Sequence, residues 1–141
     1  MYKRILVAVD GSENSKRAAE HASIIAGLNP DTHVEVLYVE EIDRSRKDVP
    51  LKNESKNVDI HSDGRNILGP VKGAFEKKRI DYEIVTKNGD PGSTIVSFAN
   101  RGGFDLVIIG SRGHNAFKDM MLGSVSLKVA RRVNAPVMII K

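Results

Sequence analysis

Five short apolar runs, separated by stretches of helical spacing, set the narrowest limits on what this chain can become. They are residues 4–10 (RILVAVD), 32–40 (THVEVLYVE), 80–87 (IDYEIVTK), 104–110 (FDLVIIG) and 135–141 (APVMIIK). The first and fourth are nearly continuous in apolar character, as strands buried on both faces read. The second is rich in β-branched residues, and the third alternates.

Helical spacing fills the intervals. Ser12 or Ser15 offers an N-cap, and Ala18, Ala19, Ala22, Ile25 and Ala26 recur on one side until Gly27 and Pro30. Residues 58–79 carry a workable stripe of Ile60, Ile67, Leu68, Val71, Ala74 and Phe75. Gly64, Gly69, Pro70 and Gly73 predict a kink or an unstable first half. Asp90 caps the next helix, with Pro91 at its first position and Gly102 at its stop. Residues 124–133 form the fourth, with Val125, Val129 and Val133 on one side. The order βαβαβαβαβ predicts an α/β fold, a parallel sheet with helices on both faces. With no linker or internal repeat, residues 1–141 are expected to be one domain.

Composition narrows the function classes. At 141 residues, 40% apolar and 28% charged, the chain can bury a core without staples. The absence of cysteine excludes disulfides and thiolate chemistry, and is compatible with a reducing cytosol. A strand-like segment opens the sequence where a leader would stand, and no apolar run approaches a membrane span. A cytoplasmic location is the expectation. The net charge of +4 is modest, and nucleic-acid binding would rest on it and on Lys/Arg in residues 41–57 alone, with no aromatic interleaving.

Ligands of open parallel sheets bind beyond the carboxyl ends of the strands, where strand order reverses. If strands 1 and 4 are neighbours, the order 3-2-1-4-5 places the reversal between them; periodicity does not fix that order. Strand 1 ends in Asp10-Gly11-Ser12. Strand 4 ends in GSRGHNAFKDMMLGS, residues 110–124. Gly110 and Gly113 allow close backbone approach. Gly123 and Ser124 open a helix whose N–H groups and dipole favour an anion. Ser124 and Ser126 add hydroxyl donors, Arg112 and Lys118 add charge, and Asp10 suits a ribose or a cation. Met120, Met121 and Leu122 would anchor the loop. Taken singly, each of these residues also serves a turn or a cap.

Other chemistries find little support. Residues 41–57, polar and broken by Pro50, read as a long loop. His21, His33, His61 and His114 lie in different elements without metal-ligand spacing, which argues against a site built from them. GxxxxGK[ST], GxGxxG and GxSxG are absent, so a P-loop, a standard dinucleotide site and a hydrolase elbow are not indicated.

Gly110-x-x-Gly113, nine residues, then Gly123-Ser124 resembles the nucleotide-binding signature of the universal stress protein family. Residues 5–15 (ILVAVDGSENS), 88–99 (NGDPGSTIVSFA) and 135–140 (APVMII) are similar to the family's first strand, third helix and closing strand. The resemblance implies a doubly wound, Rossmann-like five-stranded parallel sheet in the order 3-2-1-4-5. It also implies ATP as ligand; an accompanying Mg2+ would rest on the Asp10 carboxylate and not on the resemblance. By motif position Asp10 would contact the ribose side, and Ala8, Val9 and Val39 would surround the adenine. Gly110, Arg112, Gly113, Gly123, Ser124, Val125 and Ser126 would hold the ribose and phosphates. Family members commonly form homodimers through the final strand, here residues 136–140, an apolar edge that pairing would cover.

Two functions follow. The first is an ATP-dependent regulatory or stress-response module acting on a protein partner. The second is a slow Mg-dependent ATPase or phosphotransferase, which needs a metal, a cationic clamp and a positioned nucleophile. Asp10 and Arg112 could serve the first two needs; for a base only His114 stands near. No catalytic residue is assigned, and binding is the favoured reading.

Overall fold

The computed structural model describes residues 2–41, 61–62, 65–113 and 122–141. Along the chain run β1 (Arg4–Val9), α1 (Glu13–Ala26), β2 (His33–Glu40), β3 (His61–Ser62), β4 (Arg65–Asn66) and α2 (Gly69–Glu76). There follow β5 (Asp81–Asn88), α3 (Pro91–Gly102), β6 (Leu106–Gly110), α4 (Ser124–Arg132) and β7 (Val137–Ile140).

β5, β2, β1, β6 and β7 lie side by side in that order, every pairing parallel. Counted along the chain, these five sheet strands stand 3-2-1-4-5, as expected from the resemblance. β1 is central: Ile5 lies between Val34 and Leu106, and Ala8 between Leu37 and Ile109. Two core layers cover the two faces. On one, Ile5, Val7, Val9, Val34 and Val36 meet the alanines of α1 and Val71 and Phe75 of α2. On the other, Leu6, Ala8, Leu37, Val107 and Ile109 meet Ile95 and Ala99 of α3 and Val129 of α4. Period-2 alternation along strands buried on both sides produces these layers.

Local signals set the element ends. The Ser12 side chain accepts from the Ser15 N–H and caps α1. Four buried alanines, Ala18, Ala19, Ala22 and Ala26, let α1 lie close to the sheet. Asp90 accepts from the Ser93 N–H at 2.9 Å at the head of α3. That bond, helped by Lys128, holds the Asp90 carboxyl below the usual range. The stop of α3 lies one residue beyond expectation. Gly102 is still helical, and Gly103 takes the left-handed cap at φ 66°.

Of the stretch 58–79, with its expected kink or unstable first half, the described helix covers Gly69–Glu76. α2 begins only at Gly69, with Pro70 in its first turn, because proline's missing N–H is tolerated there and not deeper. Ahead of it, β3 and β4 pair antiparallel. The polar segment of residues 41–57, apart from Glu41, lies outside the described residues, as do His114, Lys118, Met120 and Met121. Among the described residues no helix is long and apolar enough to cross a membrane.

Candidate functional site

The ends of β1 and β6 are neighbours, and the chain leaves them in opposite directions. α1 follows β1 onto one face, while the segment after β6 leads to α4 on the other. This is the point of reversed strand order at which open sheets bind ligands.

Asp10 follows β1 directly. Its Oδ1 accepts from the Ser12 N–H at 2.9 Å, and its own N–H donates to Ser15 Oγ at 3.3 Å. These bonds fix the carboxylate at the foot of α1, half-buried. Gly110 ends β6 against the first turn of α1. A Cβ there would stand 2.8 Å from the Asn14 carbonyl carbon and 3.0 Å from the Ser15 nitrogen. Only a residue without a side chain fits that approach. Gly113 faces Asp10, since a Cβ on it would lie 2.5 Å from Asp10 Oδ2.

Ser111, between those glycines, joins four elements. Its N–H donates to the Ile140 carbonyl at 2.7 Å, at the end of β7. Its carbonyl accepts from the Gly123 N–H and from Ser126 Oγ, both at 2.7 Å. Its Oγ accepts from Asn14 Nδ2 at 2.9 Å. Arg17, one turn further along α1, donates to Asn14 Oδ1 and to the Lys141 carbonyl. Ser12, Asn14, Ser15, Ser111 and Ser126 are all buried, and among the described residues no buried side-chain nitrogen or oxygen lacks a partner. A satisfied polar network of this kind is rigid.

The far end of the glycine motif returns to its beginning. A Cβ on Gly123 would lie 3.5 Å from Arg112 Cα and 3.8 Å from the Gly113 nitrogen. Gly123 is the extended N-cap of α4 and has no side-chain capping bond, so the helix opens on backbone alone. Ser124 is exposed and Val125 half-buried.

Of the residues expected at the site, the structure gathers Asp10, Gly110, Arg112, Gly113, Gly123, Ser124, Val125 and Ser126 around the ends of β1 and β6. The Ser126 side chain is turned inward. It is buried, and its hydroxyl donates within the protein, to the Ser111 and Gly123 carbonyls. Ala8 and half-buried Val39 share the face covered by α3 and α4. Val9 points to the other face, against α1, so its side chain does not join theirs. Lys118 lies outside the described residues. Sequence reasoning missed Asn14 and Ser111. The signal was faint: a polar residue in the first turn of a helix and a serine inside the glycine motif, both buried only once the strands are neighbours.

Comparison with known proteins matches residues 1–141 to the universal stress protein family. Universal stress protein YxiE of Bacillus subtilis is 30% identical over 154 residues, covering all of both chains. The structure of MJ0577, a universal stress protein of Methanocaldococcus jannaschii, superposes with a TM-score of 0.81 at 30% identity, covering 100% of this chain and 96% of that one. A family protein of Arabidopsis thaliana with AMP bound shares the fold at a TM-score of 0.66 and 23% identity, over 99% of this chain and 91% of its own.

Proposed function

This chain belongs to the universal stress protein family, and on that premise we propose that it binds ATP between the ends of β1 and β6 as a nucleotide-dependent regulatory module. The observation that carries this reading is the closure of the glycine motif. Gly110, Gly113 and Gly123 come together at one strand end, with Gly113 against the Asp10 carboxylate. Polyphosphate would lie along the backbone N–H groups from Gly113 and from the opening of α4, where the helix dipole favours negative charge. Arg112 adds a cation. Asp10 would accept from the ribose hydroxyls or hold an accompanying Mg2+. Ala8 and Val39 offer an apolar seat for adenine, to which Val9 would contribute backbone. The Arabidopsis relative with AMP supports the capacity of this fold to hold an adenine nucleotide.

The edge strand β7 supports a homodimer. Val137, Met138 and Ile139 are only partly buried there, and a second copy would cover them. Ser111 bonds both to β7 and to α4, so the loop that would hold phosphate is tied to the proposed dimer edge.

Mass spectrometry of small molecules released on denaturing the protein, purified without added nucleotide, tests the ligand. Released ATP supports the reading; a calorimetric titration with Mg-ATP that shows no binding refutes it. Single-turnover incubation separates the two functions. Intact ATP retained one per chain supports the switch, and steady release of ADP supports the slow ATPase.

A further inference from the structure

At the opposite rim of the sheet, where β2 and β5 begin, four side chains with metal-ligating or orienting chemistry stand on adjacent strands. His33 and Glu35 are two residues apart on β2, so they share a face. Register sets Asp81 beside His33 and Glu83 beside Glu35 on β5. One imidazole nitrogen, one Glu35 oxygen and one Glu83 oxygen all lie within 4.8 Å of one another. None of these residues belongs to the glycine motif or to the ends of β1 and β6.

We propose that His33, Glu35 and Glu83 form a binding site for a divalent transition-metal ion, with Zn2+ as the reference ion, and that Asp81 orients the histidine. His33 Nδ1 lies 2.8 Å from Asp81 Oδ2, and Nε2 lies 3.5 Å from Glu83 Oε1. The first contact is the carboxylate–histidine arrangement that fixes a ligating imidazole and presents its other nitrogen. The second is close to the spacing of two ligands on one tetrahedral ion, roughly 3.3–3.6 Å for bonds near 2.0–2.2 Å. An imidazole and two carboxylates form a mixed nitrogen–oxygen set that suits Zn2+, with water completing the shell.

Glu35 is what separates this constellation from a patch of solvated acids. Its side chain is only 9% exposed, and it is held at 2.5 Å by Arg4 Nη2. Arg4 is anchored independently, by the Gly102 carbonyl and by the Phe104 ring 4.9 Å below its guanidinium carbon. Glu35 is therefore positioned before any ion arrives, and a carboxylate accepting from a guanidinium keeps further lone pairs for a metal. With His33 neutral, as ligation requires, Arg4 offsets one of three carboxylates and leaves a double negative charge, which a divalent ion would balance. The ion would fasten edge strand β5 to β2.

The test uses the full chain, stripped with a chelator and free of nucleotide. ZnCl2 titration is followed by calorimetry, and CoCl2 titration by its visible ligand-field absorption. Binding of one ion per chain is expected, with affinity lowered at least tenfold in His33→Gln and in Glu83→Gln. Asp81→Asn, which leaves the three ligands in place, should weaken binding roughly 10- to 100-fold. Asp10→Ala should leave it unchanged, so the metal site and the nucleotide site fail separately. All three sites are partly or largely exposed, and thermal melts without metal confirm that the variants fold. No binding tighter than millimolar in the parent chain overturns the proposal. So does Zn2+ held as tightly by His33→Gln and Glu83→Gln as by the parent, which places the ion elsewhere.

Discussion

Gly113 and Asp10 stand so close that a single methyl group on Gly113 would reach to 2.5 Å from Asp10 Oδ2. The two residues are distant in sequence and belong to the ends of different strands. Their meeting is the most specific geometric consequence of placing β1 beside β6. Asp10 Oδ1 is held by the Ser12 N–H, so the carboxylate can yield only by giving up that bond.

Gly113→Val should therefore damage nucleotide binding far more than folding. Gly113 is exposed, and what its side chain would strike is a carboxylate rather than backbone. A loss of at least tenfold in ATP affinity is expected, about 1.4 kcal/mol, with a cooperative thermal transition retained. Calorimetric titration beside a thermal melt measures both. Unchanged affinity would remove the proposed site from this strand end.

Gly110→Ala should behave in the reverse way. Its Cβ would meet Asn14 and Ser15 backbone at 2.8–3.0 Å, and α1 would have to move to make room. Overpacking of this kind costs about 1–3 kcal/mol. Urea denaturation should show a lowered midpoint at unchanged slope. Equal midpoints would mean that α1 shifts freely.

Gly123 separates ligand effects from folding effects. A Cβ there finds nothing nearer than 3.5 Å, and φ is −72°, so alanine fits the protein without strain. Gly123→Ala should melt within a few degrees of the parent. Gly123→Val, bulkier at the opening of α4, is expected to abolish ATP binding with the fold still cooperative. Full affinity in the valine variant would show that phosphate does not approach this helix end.

Asn14→Ala tests the polar network. It leaves Ser111 Oγ without its buried donor and Arg17 without one acceptor. Loss of a buried partner costs about 1–3 kcal/mol. Chemical denaturation gives the stability change, and weakened ATP binding beyond it would show that Ser111 must be held for the loop to work. A denaturation midpoint equal to the parent's would show that the network carries no stability.

The sheet and its helices were legible because their signals are local. Continuous apolar runs marked β1 and β6, the alanine stripe marked α1, and Asp90-Pro91 marked the start of α3. The strand order needed the family resemblance, because hydrophobic period reports burial and not neighbours. The stripe over residues 58–79 was only partly legible: its glycines and Pro70 signalled a kink or a weak first half, and Pro70 stands in the first turn of α2. Site residues with sequence signals came from glycines at fixed spacing. Asn14 and Ser111 gave only a faint signal, and the His33–Glu35–Glu83 cluster escaped notice, for one physical reason. Each is assembled by register between strands or by helix–strand contact, so no spacing along the chain encodes it.

Asp105 gives the fold a defined response to acid. Its Oδ2 accepts from the Arg4 and Lys3 N–H groups, each at 2.9 Å, and so pins the start of β1 beside β6. The Arg4 N–H first, then that of Lys3, holds its carboxyl below the usual range. A depressed folded-state pKa contributes stability that is present above the unfolded value, near 3.9, and lost as pH falls through the folded value. Asp105→Asn keeps an acceptor oxygen but has no charge to lose. The parent should therefore melt above the variant at neutral pH, and the gap should close as the pH drops through the depressed pKa. Because the carboxylate is exposed, the gap should stay under about 1 kcal/mol. Melting curves of both proteins between neutral pH and pH 2 measure it; a gap that stays constant across that range would show that the charge of Asp105 plays no part.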